Sequence, residues 1–511
     1  MEDRILNLQK NGITSPYASQ THRNATIKEV VDTAFSGEGK EFIITGRISS
    51  VRKHGSLLFY DIEDQESKIQ VICKKDLLGE SEYAKVKDSF VKNDIIEVRG
   101  HAMMSKSNEP SILIQSISMV APCLEILNNP KDVTKRFSNR TADIIQNKDT
   151  KKRLILRSKI LFQTRAILEK HGFLETTTPI LQGKYGGGKS APFTSHCNAL
   201  KQDMFLRATM DLYLKRIVAG GIERVYEIDK AFRNEAISSM YNPEFTLLEA
   251  YGAYMQSSEM SSIIQEVVNN GLKEVNKVFP DIWNNDFSWK HVNYKDACKD
   301  ILGIDVSNSK DYQGIMAQCK QRRYDVSACD NLSDLHNKIA ETILGHHFIA
   351  PTILNGLPTE TSPLMHRKED NPDELDREWF FVNGIMFCDL AKELSEPTEQ
   401  IERLKEQKLD LKHEYDNIDQ RHIQALRLGC PFISGVGFGF DRFLQGITKT
   451  PHIRENIPYP IAYEVYNIPT ENSSVARNEN INISQVINQK INNRYCLLYT
   501  SPSPRDTERS R

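Results

Sequence analysis

Two segments far apart in this 511-residue chain constrain its fold more than anything else: Phe232-Arg233-Asn234-Glu235 with Asn242-Pro243-Glu244-Phe245-Thr246, and Gly435-Val436-Gly437-Phe438-Gly439-Phe440-Asp441-Arg442. Val225, Tyr226, Ile228 and Phe232 lie before the first pair of motifs and Phe245, Leu247 and Leu248 within or after it. That pattern predicts two strands joined by a loop. Strand alternation then places Arg233 and Glu235 on one face, and Phe245, Leu247, Glu249 and Tyr251 together on another. The second segment predicts a strand with glycines at alternate positions, where a ligand can approach the backbone, ending in Asp-Arg at a strand-to-helix junction.

Arginine binds phosphate oxygens bidentately and neutralises charge that develops during phosphoryl or adenylyl transfer. A phenyl ring and a second guanidinium offer stacking surfaces for a flat base. Either segment alone is more often an exposed strand end or a bulged strand. Both together, in this order, read as an ATP site, with Arg233, Glu235, Asn242, Phe245 and Arg442 as its candidates. Between Arg157 and Leu181, Ile160, Leu161, Ile167 and Leu168 recur at helical spacing, Gly172 stops the helix, and Pro179 interrupts an extended segment. These three elements resemble motifs 1, 2 and 3 of class II aminoacyl-tRNA synthetases. In that family the first forms a homodimer interface, so the resemblance implies a homodimer.

A formal net charge of −2 argues against a generally basic nucleic-acid coat, so any RNA contact must be local. The nine cysteines show no C-x-x-C pair, which predicts reduced thiols rather than a zinc site or disulfide framework. The start lacks an apolar signal core and no apolar run approaches membrane-spanning length, so a soluble, cytoplasmic protein with no membrane association is expected.

Five short apolar runs between Glu41 and Val120, with a helix-like Tyr83 to Phe90 between the third and fourth, predict an OB-type barrel. Such barrels stack bases on rings and track phosphates with basic groups. Here Phe59 is the ring, Arg52 and Lys53 the basic groups, and Gln70 and Glu109 the candidate base readers of an anticodon. The expected fold class is α+β: a helical extension over 1–40, an OB barrel over 41–125, a linker over 126–151 and a catalytic domain over 152–467, an antiparallel sheet flanked by helices. An Asn/Ser-rich tail over 468–511 is expected to be disordered. Residues 257–350 read as helices and connections without chemistry.

A barrel ahead of the three motifs resembles subclass IIb, and Leu212-Tyr213-Leu214-Lys215-Arg216, Arg224-Val225-Tyr226-Glu227-Ile228 and Glu393-Leu394 resemble its lysine-charging members. That resemblance implies ATP-dependent ligation of L-lysine to tRNA(Lys) through a lysyl-adenylate, with Arg233 and Arg442 catalytic. It implies Asp211, Tyr251, Asp389 and Glu393 as the lysine pocket, Glu393 and Tyr251 accepting the side-chain ammonium. The family also holds Mg2+ with carboxylates, but here Trp379 and Met386 stand in two of those positions. Glu249 is then the remaining metal candidate, since Glu378, next to Trp379, should point to the opposite face. Ala391, Tyr241 and Ile433 also depart from the family pattern. Two alternatives follow from these departures: a paralogue activating another amine-bearing acid, or a catalytically weak tRNA-binding protein.

Overall fold

The computed structural model describes residues 2–462 apart from 37–39, 126, 128–131, 187–189, 281, 284–286, 363 and 411–418; side chains at 2, 36 and 406–410 are also outside the description. The tail expected to be disordered therefore lies outside the described residues. The chain forms two compact units, Met1–Asn128 and Asn129–Arg511.

In the first unit, helices α1 (Glu2–Lys10) and α2 (Ile27–Ser36) precede strands β1 (Glu41–His54), β2 (Leu57–Glu63) and β3 (Lys68–Lys74). Helices α3 (Lys75–Leu78) and α4 (Glu80–Ser89) separate these from β4 (Ile95–Met104) and β5 (Pro110–Ala121). The strands close into a barrel in the order β1-β2-β3-β5-β4, the five-stranded OB arrangement. A bulge between Ile48 and Ser50 changes the parity of β1. Ile44 and Ile48 point into the core before it; after it, Val51 pairs with core Tyr60 and Arg52 with Phe59, so Arg52 turns outward. A second bulge at Arg99/Gly100 closes β4 on β5, and a Cβ at Gly100 would lie 2.2 Å from the Leu113 carbonyl oxygen. Leu8, Ile27, Val30 and Ala34 are buried in the same core as the barrel strands, so α1 and α2 pack as part of this unit.

The second unit starts with α5 (Val133–Ser138), α6 (Arg140–Gln146) and α7 (Lys148–Lys170). The stretch read as a linker is thus helical from Val133 on. Phe137 is buried, and the Arg140 guanidinium donates to the carbonyls of Glu455, Ile457 and Pro458, which fixes it to the end of this unit. Its framework is an eight-stranded sheet ordered β12-β13-β14-β15-β16-β11-β10-β6. The strands are β6 (Leu174–Glu175), β10 (Arg224–Phe232), β11 (Glu244–Ala253), β12 (Lys290–Asn293), β13 (Thr352–Asn355), β14 (Arg377–Val382), β15 (Ile385–Glu393) and β16 (Ile433–Gly439). A separate small sheet holds β7 (Leu181–Gln182), β8 (Thr194–Cys197) and β9 (Gln202–Leu206). All pairs of the large sheet are antiparallel except β12–β13 and β10–β6.

Alternation along β11 divides two environments. Leu248 and Ala250 pack with Leu156 and Ile160 of α7 and with Ile264 and Val268 of a second long helix (Ser257–Val278), and so build the main core. Phe245, Leu247, Glu249 and Tyr251 take the other face, as their spacing predicts. Arg233 and Glu235 differ from expectation, because β10 ends at Phe232 and both lie in the following loop. Arg233 donates its N–H to the Pro243 carbonyl, and Pro243 has no N–H to return, so the ladder stops there. Among the described residues the eight cysteines are all free, and no helix is long and apolar enough to cross a membrane.

Candidate active site

A cavity of about 530 Å³ lies on the sheet face opposite the main core, and Arg233, Glu235, Asn242, Phe245 and Arg442 all line it. The two remote segments therefore do form one site. Its floor follows from strand register: Gly437 of β16 sits between Glu249 of β11 and Asp389 of β15, and a Cβ there would meet nothing within 4 Å. The Arg233 guanidinium stacks 5.2 Å from the Phe245 ring centroid. That of Arg442 lies 5.1 Å from the Tyr241 ring centroid and donates to Glu341 Oε1 at 2.8 Å. Burial opposes the Arg442 charge, but Glu341 outweighs it and raises the pKa. Asn242 donates to the Glu244 carbonyl, while its buried Oδ1 has no partner and is free to accept from a ligand.

One buried arginine ties the three motifs together. Arg157 of α7 donates to Asp441 Oδ1 and, at 2.6 Å, to Thr246 Oγ1, and the Thr246 N–H donates to Asp441 Oδ2 at 2.6 Å. Asp441 heads the helix Phe440–Ile447, so Arg442 projects from a fixed first turn.

The residues assigned to lysine separate into two groups. Asp211, Tyr251 and Glu393 form a cluster outside the lining of the cavity, centred on a residue the motif reading did not single out. Lys215 Nζ lies 2.7 Å from both Asp211 Oδ1 and Glu393 Oε2, and the Tyr251 hydroxyl donates to Asp211 at 3.1 Å. Burial works against the Lys215 charge, but the two carboxylates raise its pKa and hold it protonated. Burial raises Glu393 to about 7 despite Lys215, and lifts the Tyr251 hydroxyl well above its ordinary range. The i,i+4 spacing of Asp211 and Lys215 on one helix (Asp211–Ala219) was the sequence signal for this pair.

Asp389 does line the cavity, and its carboxylate already accepts three hydrogen bonds. Arg377 Nε and Nη2 donate to its two oxygens at 2.8 and 2.6 Å, and the Trp379 indole donates at 2.9 Å. Glu249 accepts from the Thr209 hydroxyl and from the Met210 N–H at 3.0 Å; burial, then Asp211, raise it to about 8. Glu378 points to the opposite face as expected, where burial raises its pKa beside Ser261. Among the described residues no three His, Cys, Asp or Glu side chains are grouped to hold a metal ion. Glu249, the expected magnesium ligand, already accepts two hydrogen bonds from the protein. Glu341 and Asn337, from the stretch read as free of chemistry, also line the cavity. No local motif marked them, because they reach the cavity from helical segments outside the sheet.

On the barrel, Arg52 and Phe59 are directly opposed and outward, and Gln70 is opposite Asp61, two residues along the same face of β2. Gln70 donates to Glu109 at 2.9 Å, and Arg52 donates to Asp61 at 2.9 Å. All four predicted anticodon residues share this face. Phe59 is half-buried and lies outside the barrel core.

An eight-stranded, mainly antiparallel sheet carrying three such motifs around this cavity, coupled in sequence to an OB barrel, defines the class II tRNA synthetases. Residues 132–462 match the family described as tRNA synthetases class II (D, K and N), residues 42–120 match the OB-fold nucleic acid binding domain, and the chain belongs to that synthetase family. Membership implies use of ATP. The chain is 33% identical over 471 residues to the lysine–tRNA ligase of Carboxydothermus hydrogenoformans, covering 90% of this chain and 96% of the relative. It is 32% identical over 470 residues to that of Syntrophomonas wolfei and 31% identical over 480 residues to that of Listeria innocua, each covering 90% of this chain and 95% of the relative.

Proposed function

We propose that the protein ligates L-lysine to tRNA(Lys) through a lysyl-adenylate. The observation that carries this reading is the buried acidic pair Asp211–Glu393 beside Tyr251, a few residues further along the strands β15 and β11 that also line the cavity of Arg233, Phe245 and Arg442. A desolvated ammonium needs an anion and further acceptors. Lys215 offsets part of the acidic charge, and an incoming side-chain cation would favour the ionised form of Glu393. The names of the relatives support the same substrate.

In this reading the adenine is gripped by Phe245 and Arg442, Glu235 accepts from its exocyclic amine, and Asn242 Oδ1 takes a further donor. The lysine carboxylate attacks the α-phosphorus in line, the bond to the bridging oxygen breaks, and pyrophosphate leaves. Arg233 stabilises charge on the transferring centre. A ribose hydroxyl of the terminal adenosine of tRNA then attacks the carbonyl carbon and AMP departs. The barrel face carrying Arg52, Phe59, Gln70 and Glu109 would take the anticodon. The exposed apolar residues Phe162, Leu174 and Leu181, on α7, β6 and β7, support the homodimer.

The test is ATP–pyrophosphate exchange against a panel of amino acids. Lysine should support exchange, and Arg233→Ala should lower it by about 10²–10³-fold without altering the oligomeric state. Exchange with a different amine-bearing acid would transfer the site to that substrate. Such an outcome has a structural motive, since Lys215 already engages Glu393 and the cavity presents Asp389 rather than the acidic pair. Exchange with no amino acid would leave tRNA binding as the remaining activity.

A further inference from the structure

Five carboxylates line the nucleotide cavity, and four of them are engaged by the protein itself. Asp389 is held by Arg377 and Trp379, Asp441 by Arg157 and the Thr246 N–H, and Glu341 by Arg442. Glu249 accepts from the Thr209 hydroxyl and the Met210 N–H. Glu235, exposed in the loop after β10, is the one of the five whose carboxylate has no side-chain partner among the described residues.

Magnesium needs hard oxygen ligands, usually one or two carboxylates beside the phosphates it binds. A thioether is a soft, weak donor, and an indole offers only an N–H. Met386 and Trp379 therefore cannot substitute for carboxylates. Arg377 also does more than fill space. Its guanidinium lies 4.6 Å from the Trp379 ring, its Nη1 donates to Thr361 at 3.2 Å, and its other two nitrogens clamp Asp389. A fixed, neutral Arg–Asp–Trp unit thus stands in the wall of the cavity, where the register pairs Trp379 with Asp389 directly across β14 and β15.

We propose that this chain binds adenosine triphosphate without ligating a magnesium ion: the Arg377–Asp389–Trp379 unit replaces a metal site, and the guanidinium groups of Arg233 and Arg442 meet the phosphate and base directly. Any magnesium present rides on the phosphates alone. Arg377 acts here as a positioning residue that keeps Asp389 from becoming a metal ligand. The proposal rests on the nucleotide reading above.

Titration calorimetry of the full chain with ATP, in EDTA and then in magnesium chloride, tests this without any substitution. The dissociation constants should agree within about threefold, since no protein ligand is lost with the metal. Manganese, followed by its paramagnetic resonance signal, should not bind the protein in the absence of nucleotide. Arg377→Met frees Asp389 and adds one negative charge to the wall. Its ATP affinity in EDTA should fall at least tenfold, about 1.4 kcal/mol, and recover when magnesium is added. Binding by the unaltered protein only in magnesium would overturn the proposal and leave the nucleotide reading intact. No binding under either condition would overturn both. An Arg377→Met protein equally weak in EDTA and magnesium would show that Arg377 is merely structural, and would overturn its positioning role.

Discussion

Lys215 changes the meaning of the acidic residues around it. Asp211 and Glu393 would repel each other if left alone in a buried space, and the ammonium 2.7 Å from each makes their burial tolerable. Glu249, nearby on the same sheet face, has no such cation in contact, and burial moves it from the ordinary value of 4.5 to about 8. Its native state holds the proton more tightly than the unfolded chain. The unfolded state therefore binds fewer protons between these values, and stability falls as pH rises from about 4.5 to about 8. Glu249→Gln keeps an acceptor for the Met210 N–H and removes the ionisable group. The variant should melt at higher temperature than the parent at pH 8, with the difference shrinking toward pH 5. Melting curves across that range check it, and an identical pH slope in the two proteins would contradict the assignment.

At the scale of elements, β16 works because its glycines have different tasks. Gly437 opens toward the cavity, whereas Gly435 lies beneath packed side chains. A Cβ at Gly435 would fall 2.5 Å from Tyr251 Cε1 and 2.6 Å from Glu393 Oε1. Both neighbours are buried, so the methyl must displace the pair that surrounds Lys215. Gly435→Ala should cost about 1–3 kcal/mol through overpacking and weaken lysine binding more than ATP binding. Denaturant midpoints and the two substrate dependences of exchange measure this. Gly437→Ala, with open space around its Cβ, should leave stability close to that of the parent and affect the nucleotide side instead. The alternating glycines were legible in the sequence; which of them opened on the cavity was not, because all share one strand face and only the neighbours that β11 and β15 supply tell them apart.

For the whole molecule, the second unit exposes apolar side chains on α7 and on the short strands β6 and β7. Phe162 is 72% exposed, with Leu174 and Leu181 about half exposed. Strand β6 is also the edge of the large sheet, and an exposed edge beside apolar side chains is a site of association. If this face joins two copies, Phe162→Glu buries a charge at the interface and should shift the protein toward monomer by at least tenfold in dissociation constant. Sedimentation velocity over a concentration series measures it, and a parent protein that stays monomeric throughout would remove the homodimer from the proposed function.

The sequence by itself determined the barrel, the antiparallel catalytic sheet and the nucleotide side of the site. Those depend on local patterns: alternation in β11, glycines in β16 and the Asp-Arg turn into the helix Phe440–Ile447 each declare their geometry within a few residues. Tertiary structure alone decided how the charges pair. Arg377 clamps Asp389, Glu341 reaches Arg442 from a distant helix, and Lys215 reaches Glu393 from the helix Asp211–Ala219. The physical reason is that an ion pair depends on distance through space and on shared burial, and neither is written in the spacing of residues along the chain.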